Sequence, residues 1–195
     1  MDHFIARRFH CSCWQIFGLM PSLTFRIIIG VELLIRVAAI AISGPIPCSP
    51  YITNPKNGKC YRKYCDLQEA ASASEMCRYM GGELVTICDK DDNDLIVGLA
   101  ILHPDHLDVL NSVWIGLVRN HADRSQWEWL SGENCTYRSW FGNEPNDMGG
   151  NENHVHMNTK TEHYDKWNDI SLGFKFHYIC EWDECPSQIN IVDGE

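Results

Sequence analysis

Read from the amino terminus, the chain passes from a strongly apolar run, through two segments with helical periodicity, to short strand-like stretches. The run is Phe25 to Ser43 (FRIIIGVELLIRVAAIAIS), in which Arg26, Glu32 and Arg36 are the only charges. Gly44-Pro45-Ile46-Pro47 then breaks any helix, since both prolines lack an amide donor and restrict the residue before them. From Asp66 to Met80 the residues Leu67, Ala70, Ala71, Met76, Cys77 and Met80 predict the inner face of a helix, stopped by Gly81-Gly82. A second helix is predicted from Asp89. There Asp89, Asp91 and Asp92 supply a cap and favourable charge at the positive end of the helix dipole, and Leu95, Ile96, Leu99, Ala100 and Leu102 line one face until Pro104. Further on the period shortens: Val113 to Leu117, Gln126 to Leu130 and His177 to Trp182 are aromatic or β-branched runs that predict strands. Between Ser131 and Asn168 lies a long stretch rich in Gly, Asn, Asp, Glu and Pro with little periodicity, which in a compact domain predicts a functional loop. Trp114, Trp127, Trp129 and Trp140 lie in strand-like motifs and are read as core anchors.

The apolar run follows Arg7, Arg8 and Arg26 and ends on Ala39, Ala41 and Ser43, spaced like a cleavage site, so residues 1–43 are read as a secretory signal. The alternative is a signal anchor, making a type II membrane protein with its domain outside, although Glu32 and Arg36 interrupt the roughly 20 apolar residues a stable span needs. Either Met1 or Met20 can serve as the start. Both readings deliver the chain beyond Gly44 to the extracellular side. The resulting map is a leader (1–43), a short linker (44–47), a domain (48–182) and a C-terminal tail (183–195).

A length of 195 residues accommodates one ordinary domain plus that leader. A hydrophobic fraction of 45% and a charged fraction of 22% are those of a globular chain. The net charge of −10, with no Lys/Arg-rich run, excludes a nucleic-acid-binding role, because nothing offers itself to the phosphates. Ten cysteines are many for this length, and the spread of eight of them from Cys48 to Cys185 predicts a disulfide framework formed in an oxidising compartment. The absence of any CxxC pair argues against zinc.

In order along the chain, WIGL (Trp114 to Leu117), WEWLSGE (Trp127 to Glu133), NEPND (Asn143 to Asp147), WND (Trp167 to Asp169) and YICE (Tyr178 to Glu181) resemble the C-type lectin-like domain. The likeness covers Cys48 to about Trp182. It implies the α+β double-loop fold of that family, with two helices beside small antiparallel sheets and a long calcium-binding loop. It implies a disulfide between Cys77 and Cys180, and a second between Cys48 and Cys60, the amino-terminal hairpin bridge of the long form. Cys65, Cys88, Cys135 and Cys185 then remain, with three possible connectivities left open. The family's bridge within the long loop falls on His154 and Leu172 here, so it is absent, and the loop is expected to be looser without its ion.

By the same resemblance, Glu144, Asn146, Glu152, Asn168 and Asp169 hold one Ca2+ and, with it, the carbohydrate. Calcium takes six to eight oxygens in a flexible shell, which three carboxylates and two amide carbonyls suit. Two vicinal sugar hydroxyls can then complete the shell, each accepting from an Asn amide and donating to a carboxylate. Pro145 is expected to be cis. The order Glu-Pro-Asn resembles the mannose-type set, which implies mannose, N-acetylglucosamine, glucose or fucose as ligand and disfavours galactose. Trp167 is read as a packing residue. The auxiliary calcium site of the family is compromised because Arg119 stands where an acid is expected, although Asp123, Asp147, Glu152 and Asn153 offer a partial shell; one strong site is expected.

Three further features remain. His154, His156 and His163 lie near this loop, either as a pH-sensitive group or as exposed loop histidines. Asn134-Cys135-Thr136 is an N-glycosylation sequon. No nucleophile, HExxH or GxSxG pattern survives the disulfide assignment, so no enzyme is expected. The partners implied are glycans of glycoproteins or cell surfaces, with homo-oligomers a route to avidity. The competing function is a lectin-like domain that binds a protein partner independently of sugar.

Overall fold

The computed structural model describes residues 44–102, 112–159 and 163–187. The leader at 1–43, both candidate start residues, Pro104 and the tail beyond Ser187 lie outside the described residues. Among those described, no helix is long and apolar enough to cross a membrane.

Two helices form. The first, α1 (Ala70–Tyr79), begins later than the periodicity predicts, because Asp66 to Gln68 complete a strand instead. The Asp66 carboxylate accepts from the Ile46 amide and the Tyr178 hydroxyl, which holds that stretch extended. The second, α2 (Lys90–Ala100), starts where the cap residue indicates: an Asp89 carboxylate oxygen accepts from the Asp92 amide at 3.0 Å.

The strands are β1 (Ile52–Thr53), β2 (Cys60–Gln68), β3 (Glu83–Leu84), β4 (Ser112–Arg119), β5 (Trp127–Trp129), β6 (His154–Asn158), β7 (Trp167–Ile170) and β8 (Phe176–Trp182). Their order is β1-β2-β8-β4-β6-β7, with β3 on β8 and β5 on β4. The β4–β8 pairing is parallel, with Val113 opposite His177 and Trp114 opposite Tyr178, and the others are antiparallel. β2 escapes the hydrophobic pattern because Arg62, Lys63 and Asp66 interrupt it, yet Lys63 is only 2% exposed. Its ammonium donates to the Ala100 carbonyl, the last of α2. β6 likewise falls inside the stretch read as loop and β7 begins within it, where polar residues hide strands that only cross-strand pairing reveals.

The core lies on both sides of β4. On one side Ile115, Leu117, Val155, Met157 and Ile179 pack with Ile96 and Leu99 of α2 and with Trp129 and Trp167. On the other Trp114, Tyr64, Phe176 and Tyr178 pack against Ala70, Ala73 and Cys77 of α1. Trp127 and Trp140 are partly buried at the edge of the first group. Burial of each large side chain stabilises the fold by roughly 1.5–3 kcal/mol.

Cys77 and Cys180 are joined, tying α1 to β8. The implied Cys48–Cys60 bridge is not formed: Cys48 pairs with Cys65, and Cys60 with Cys185. The reason is register. The Cys48 amide donates to Lys63 and the Cys65 amide to Ile46, so the incoming chain lies beside the far half of β2. Cys48 thus lies opposite Lys63, and at about 3.4 Å per residue Cys60 is roughly 10 Å further along the strand, outside bonding range. Cys60 instead faces Trp182, three residues before Cys185, which fastens the start of the tail to β2. The remaining pair is Cys88–Cys135. Asn134, beside it, is exposed.

Candidate functional site

The five sequence-identified residues lie on two elements, the segment from Glu144 to Glu152 and strand β7. The Glu144–Pro145 peptide is cis. Across it the two side chains meet: the Asn146 amide donates to Glu144 Oε1 at 2.9 Å, and the Asn146 backbone N–H to Glu144 Oε2 at 3.1 Å. The turn is docked on Asp169, which is fully buried and accepts from the Asn146 amide N–H at Oδ1 and the Asp147 N–H at Oδ2, each at 3.0 Å. The segment then makes a short 3-10 turn, Met148–Gly150, before β6. Glu152, also buried, closes that turn by accepting the Met148 N–H at 2.7 Å, while its own N–H donates to Asp147 Oδ1 at 3.1 Å. Glu144, Asn146, Glu152 and Asp169 are thereby brought together.

Asn168 is held separately. Half-buried on β7, it faces His156 across the β6–β7 pair, its Nδ2 lying 3.2 Å from His156 Nε2. With that ring nitrogen as acceptor, the amide carbonyl of Asn168 is left for other work. The histidines are not exposed loop residues. His154 and His156 belong to β6, where both rings pack edge-on against Trp114. Burial lowers both, His156 to about 4, so the His156 ring is neutral across the physiological range. His163 packs on Phe141 instead.

The carboxylates crowd each other. Burial, contact with Asp169 and the charge of Glu152 together raise Glu144 above the usual carboxylate range. Glu152 is raised too, by burial first and then by the charges of Asp169 and Asp147, against the pull of the Met148 N–H. Acids raised by burial and by one another's charge mark a place short of positive charge, and an all-oxygen donor set of acids and amides suits a hard cation such as calcium. The trio Glu144, Glu152 and Asp169 is not drawn tight: among the described residues, the grouping of acidic, Cys or His side chains whose donor atoms all lie within 4.8 Å is Cys88, Glu133 and Cys135, both of whose sulfurs are in a disulfide.

Two arginines that the motifs do not single out as ligands complete the surroundings. Arg119 Nη2 lies 2.5 Å from Asp169 Oδ2, and Arg124 Nη2 is 2.8 Å from Asp147 Oδ2. The second pairing lowers Asp147. The partial auxiliary shell is accordingly filled by guanidinium groups: Arg124 also takes Asn153 Oδ1, while Asp123 caps Ser125. Arg119 is marked in the sequence by its misfit to an acidic position and His156 by its place near the loop, though not by its contact with Asn168; nothing in the spacing marks Arg124. Trp167, fully buried among Trp129, Tyr137 and Trp140, is a packing residue. A cavity of about 410 Å³ between Lys59, Arg78, Glu181 and Trp182 involves none of these groups.

Comparison with known proteins covers the same span. Residues 66–182 match the family model described as "Lectin C-type domain". A C-type lectin mannose-binding isoform of Notechis scutatus scutatus is 34% identical over 136 residues, 69% of this chain and 83% of its own. An alpha-N-acetylgalactosamine-specific lectin of Patiria pectinifera is 28% identical over 129 residues, 64% of this chain and 74% of its own. Among solved structures, the cow C-type carbohydrate-recognition domain of CD23, in the presence of a GlcNAc2Man3 oligosaccharide, is similar at 25% identity and a TM-score of 0.56, over 70% of this chain and 96% of that one.

Proposed function

The chain belongs to the C-type lectin family, a family of non-enzymatic carbohydrate-binding domains, and from that premise we propose that it is a secreted, calcium-dependent lectin for mannose-type sugars on glycoproteins or cell surfaces. The observation that carries this is the docking of the cis Glu144-Pro145-Asn146 turn onto buried Asp169, which gathers acids that repel one another beside two amide side chains. Glu144, Asn146, Glu152, Asn168 and Asp169 would hold one calcium ion. When bound, that ion supplies open coordination positions for two vicinal sugar hydroxyls. The protein's own part is hydrogen bonding: Asn146 and Asn168 carry amide donors and Glu144 and Glu152 carry acceptors, so each hydroxyl both accepts and donates. His156 steadies the Asn168 amide; Asp169 Oδ2 is taken by the Asp147 N–H and Arg119, while Oδ1, which accepts the Asn146 N–H, keeps a second lone pair for the ion.

The mannose class is supported by the Glu-Pro-Asn order and by the mannose-binding name of the Notechis relative. The Patiria relative's different sugar makes the point testable. Extracellular delivery by the 1–43 leader, and a glycan on exposed Asn134, belong to the same proposal. Wild-type protein should be retained on mannose-agarose in calcium and elute with EDTA. Glu144→Gln with Asn146→Asp should move retention to galactose-agarose. Passage of folded wild type straight through mannose-agarose in millimolar calcium would overturn the proposal.

A further inference from the structure

The sugar-binding reading accounts for the side of Asp169 that faces the turn and leaves its other partner unexplained. Arg119 is buried, at 7% exposure, which is costly for a charge unless every donor is used. Each of its three nitrogens finds an acceptor: Nε donates to the Glu152 carbonyl and Nη1 to the Arg124 carbonyl, each at 2.8 Å, Nη2 pairs with Asp169, and the guanidinium lies 4.3 Å from the Trp127 ring centroid. Arg124 carries the contact outward. Its Nη1 donates to Asn153 Oδ1 at 3.0 Å, and its Nη2 to both oxygens of Asp147 and to the Gly150 carbonyl at 3.1 Å. One continuous network therefore runs from the end of β4 through both guanidinium groups to the ligand-bearing segment and to β7.

Beyond the arginines and the hydrogen bonds to Asp169 and Glu152, that segment has little else to hold it. Between Trp140 and β6 its only regular structure is the short turn at Met148–Gly150, and positions 154 and 172 are His and Leu, so no disulfide crosses it. Charge points the same way. Arg119 and Arg124 pair with Asp169 and Asp147, which leaves the carboxylates of Glu144 and Glu152 without a guanidinium partner, two acids being the complement of one divalent ion.

We propose that Arg119 and Arg124 are positioning residues that act as a resident cation, keeping the Glu144–Asn153 segment folded onto β7 without metal and leaving room for a single divalent ion. A guanidinium fork is directional and covalently attached, so a chelator that strips calcium leaves this clamp in place. The single-ion part rests on the calcium-site proposal above; the clamp does not.

The test is hydrogen exchange of the loop amides in EDTA, paired with calorimetric calcium titration, on the wild-type chain, Arg124→Ala and Arg124→Lys. Arg124 is half exposed, so these variants should fold. In wild type the Asn146, Asp147, Met148 and Glu152 amides should be protected in EDTA. In Arg124→Ala they should exchange at least about 10-fold faster, the factor for losing one charge-assisted hydrogen bond, while amides of β6 and β8 stay unchanged. Calcium should bind one per chain in wild type and about 10-fold more weakly in Arg124→Ala, with Arg124→Lys between, because an ammonium keeps the charge and loses the fork. Free exchange of the wild-type loop in EDTA, or equal protection in Arg124→Ala, would refute the clamp. Two tight calcium ions would refute the single-ion part. Arg124-dependent protection with no calcium bound at all would leave the clamp standing and remove the calcium site.

Discussion

Replacing Cys60 and Cys185 together by Ala removes the bridge that fastens the tail to β2, and its cost can be worked from the connectivity. Taken alone, a link across 125 residues would stabilise the fold by ~5 kcal/mol on the chain-entropy model. It is not alone. Cys77–Cys180, across 103 residues, already joins the same two regions, and Cys60 is 17 residues from Cys77 while Cys185 is 5 from Cys180. Given the inner bridge, the outer one closes a circuit of roughly 22 residues, worth ~3 kcal/mol. Removing Cys77 and Cys180 opens the same circuit and should cost a similar amount. Removing both bridges should cost ~8 kcal/mol, more than the separate losses combined and comparable to the whole stability of a domain. Equilibrium guanidinium unfolding followed by tryptophan fluorescence measures each variant, and peptide mapping of the wild type checks the pairing. A loss near 5 kcal/mol for the outer pair alone would refute the nested-circuit reasoning, and a mapped Cys48–Cys60 bridge would refute the connectivity.

Gly116→Ala should be destabilising, because a Cβ there would sit 2.6 Å from the Leu84 carbonyl oxygen and 3.2 Å from that of Val85, both backbone atoms. An overpacking cost of ~1–3 kcal/mol corresponds to a Tm lower by at least about 2 °C, and an unchanged melt would show that β3 and β4 can separate freely. Lys63 makes stability depend on pH. Burial lowers it from 10.5 to about 8, so between those values the unfolded chain binds the proton that the fold has released, and stability rises with pH across that window. The penalty below pH 8 is ~3 kcal/mol, partly offset by the bond to Ala100. Lys63→Met should therefore be more stable than wild type at pH 7, with a difference that shrinks towards pH 10; a constant difference in paired denaturation curves would count against the burial argument.

The amino-acid sequence by itself determined what local chemistry can encode. Part of the inner face of each helix, the Asp89 cap, the tryptophan core and the Glu-Pro-Asn and Asn-Asp motifs are each written in neighbouring residues, and the family followed from their order. Leu67, Ala71 and Leu102, which the periodicity places on the inner faces, are exposed, because Leu67 falls in β2 and Leu102 lies beyond the end of α2. The tertiary structure alone decided what depends on distant segments lying side by side. β6 and β7 are strands because His154 to Asn158 pairs with β4, although its composition reads as loop. Cys48 meets Cys65 because the incoming chain runs along the far half of β2, and no spacing rule records that register. Arg119 shows the limit most clearly. Judged only against an ion, a positive charge at that position is repulsive; placed 50 residues from its partner in sequence and 2.5 Å from it in space, it becomes the counter-charge that a buried Asp169 requires. Periodicity and motif are short-range quantities, whereas the sign of an electrostatic effect depends on what surrounds the charge after folding.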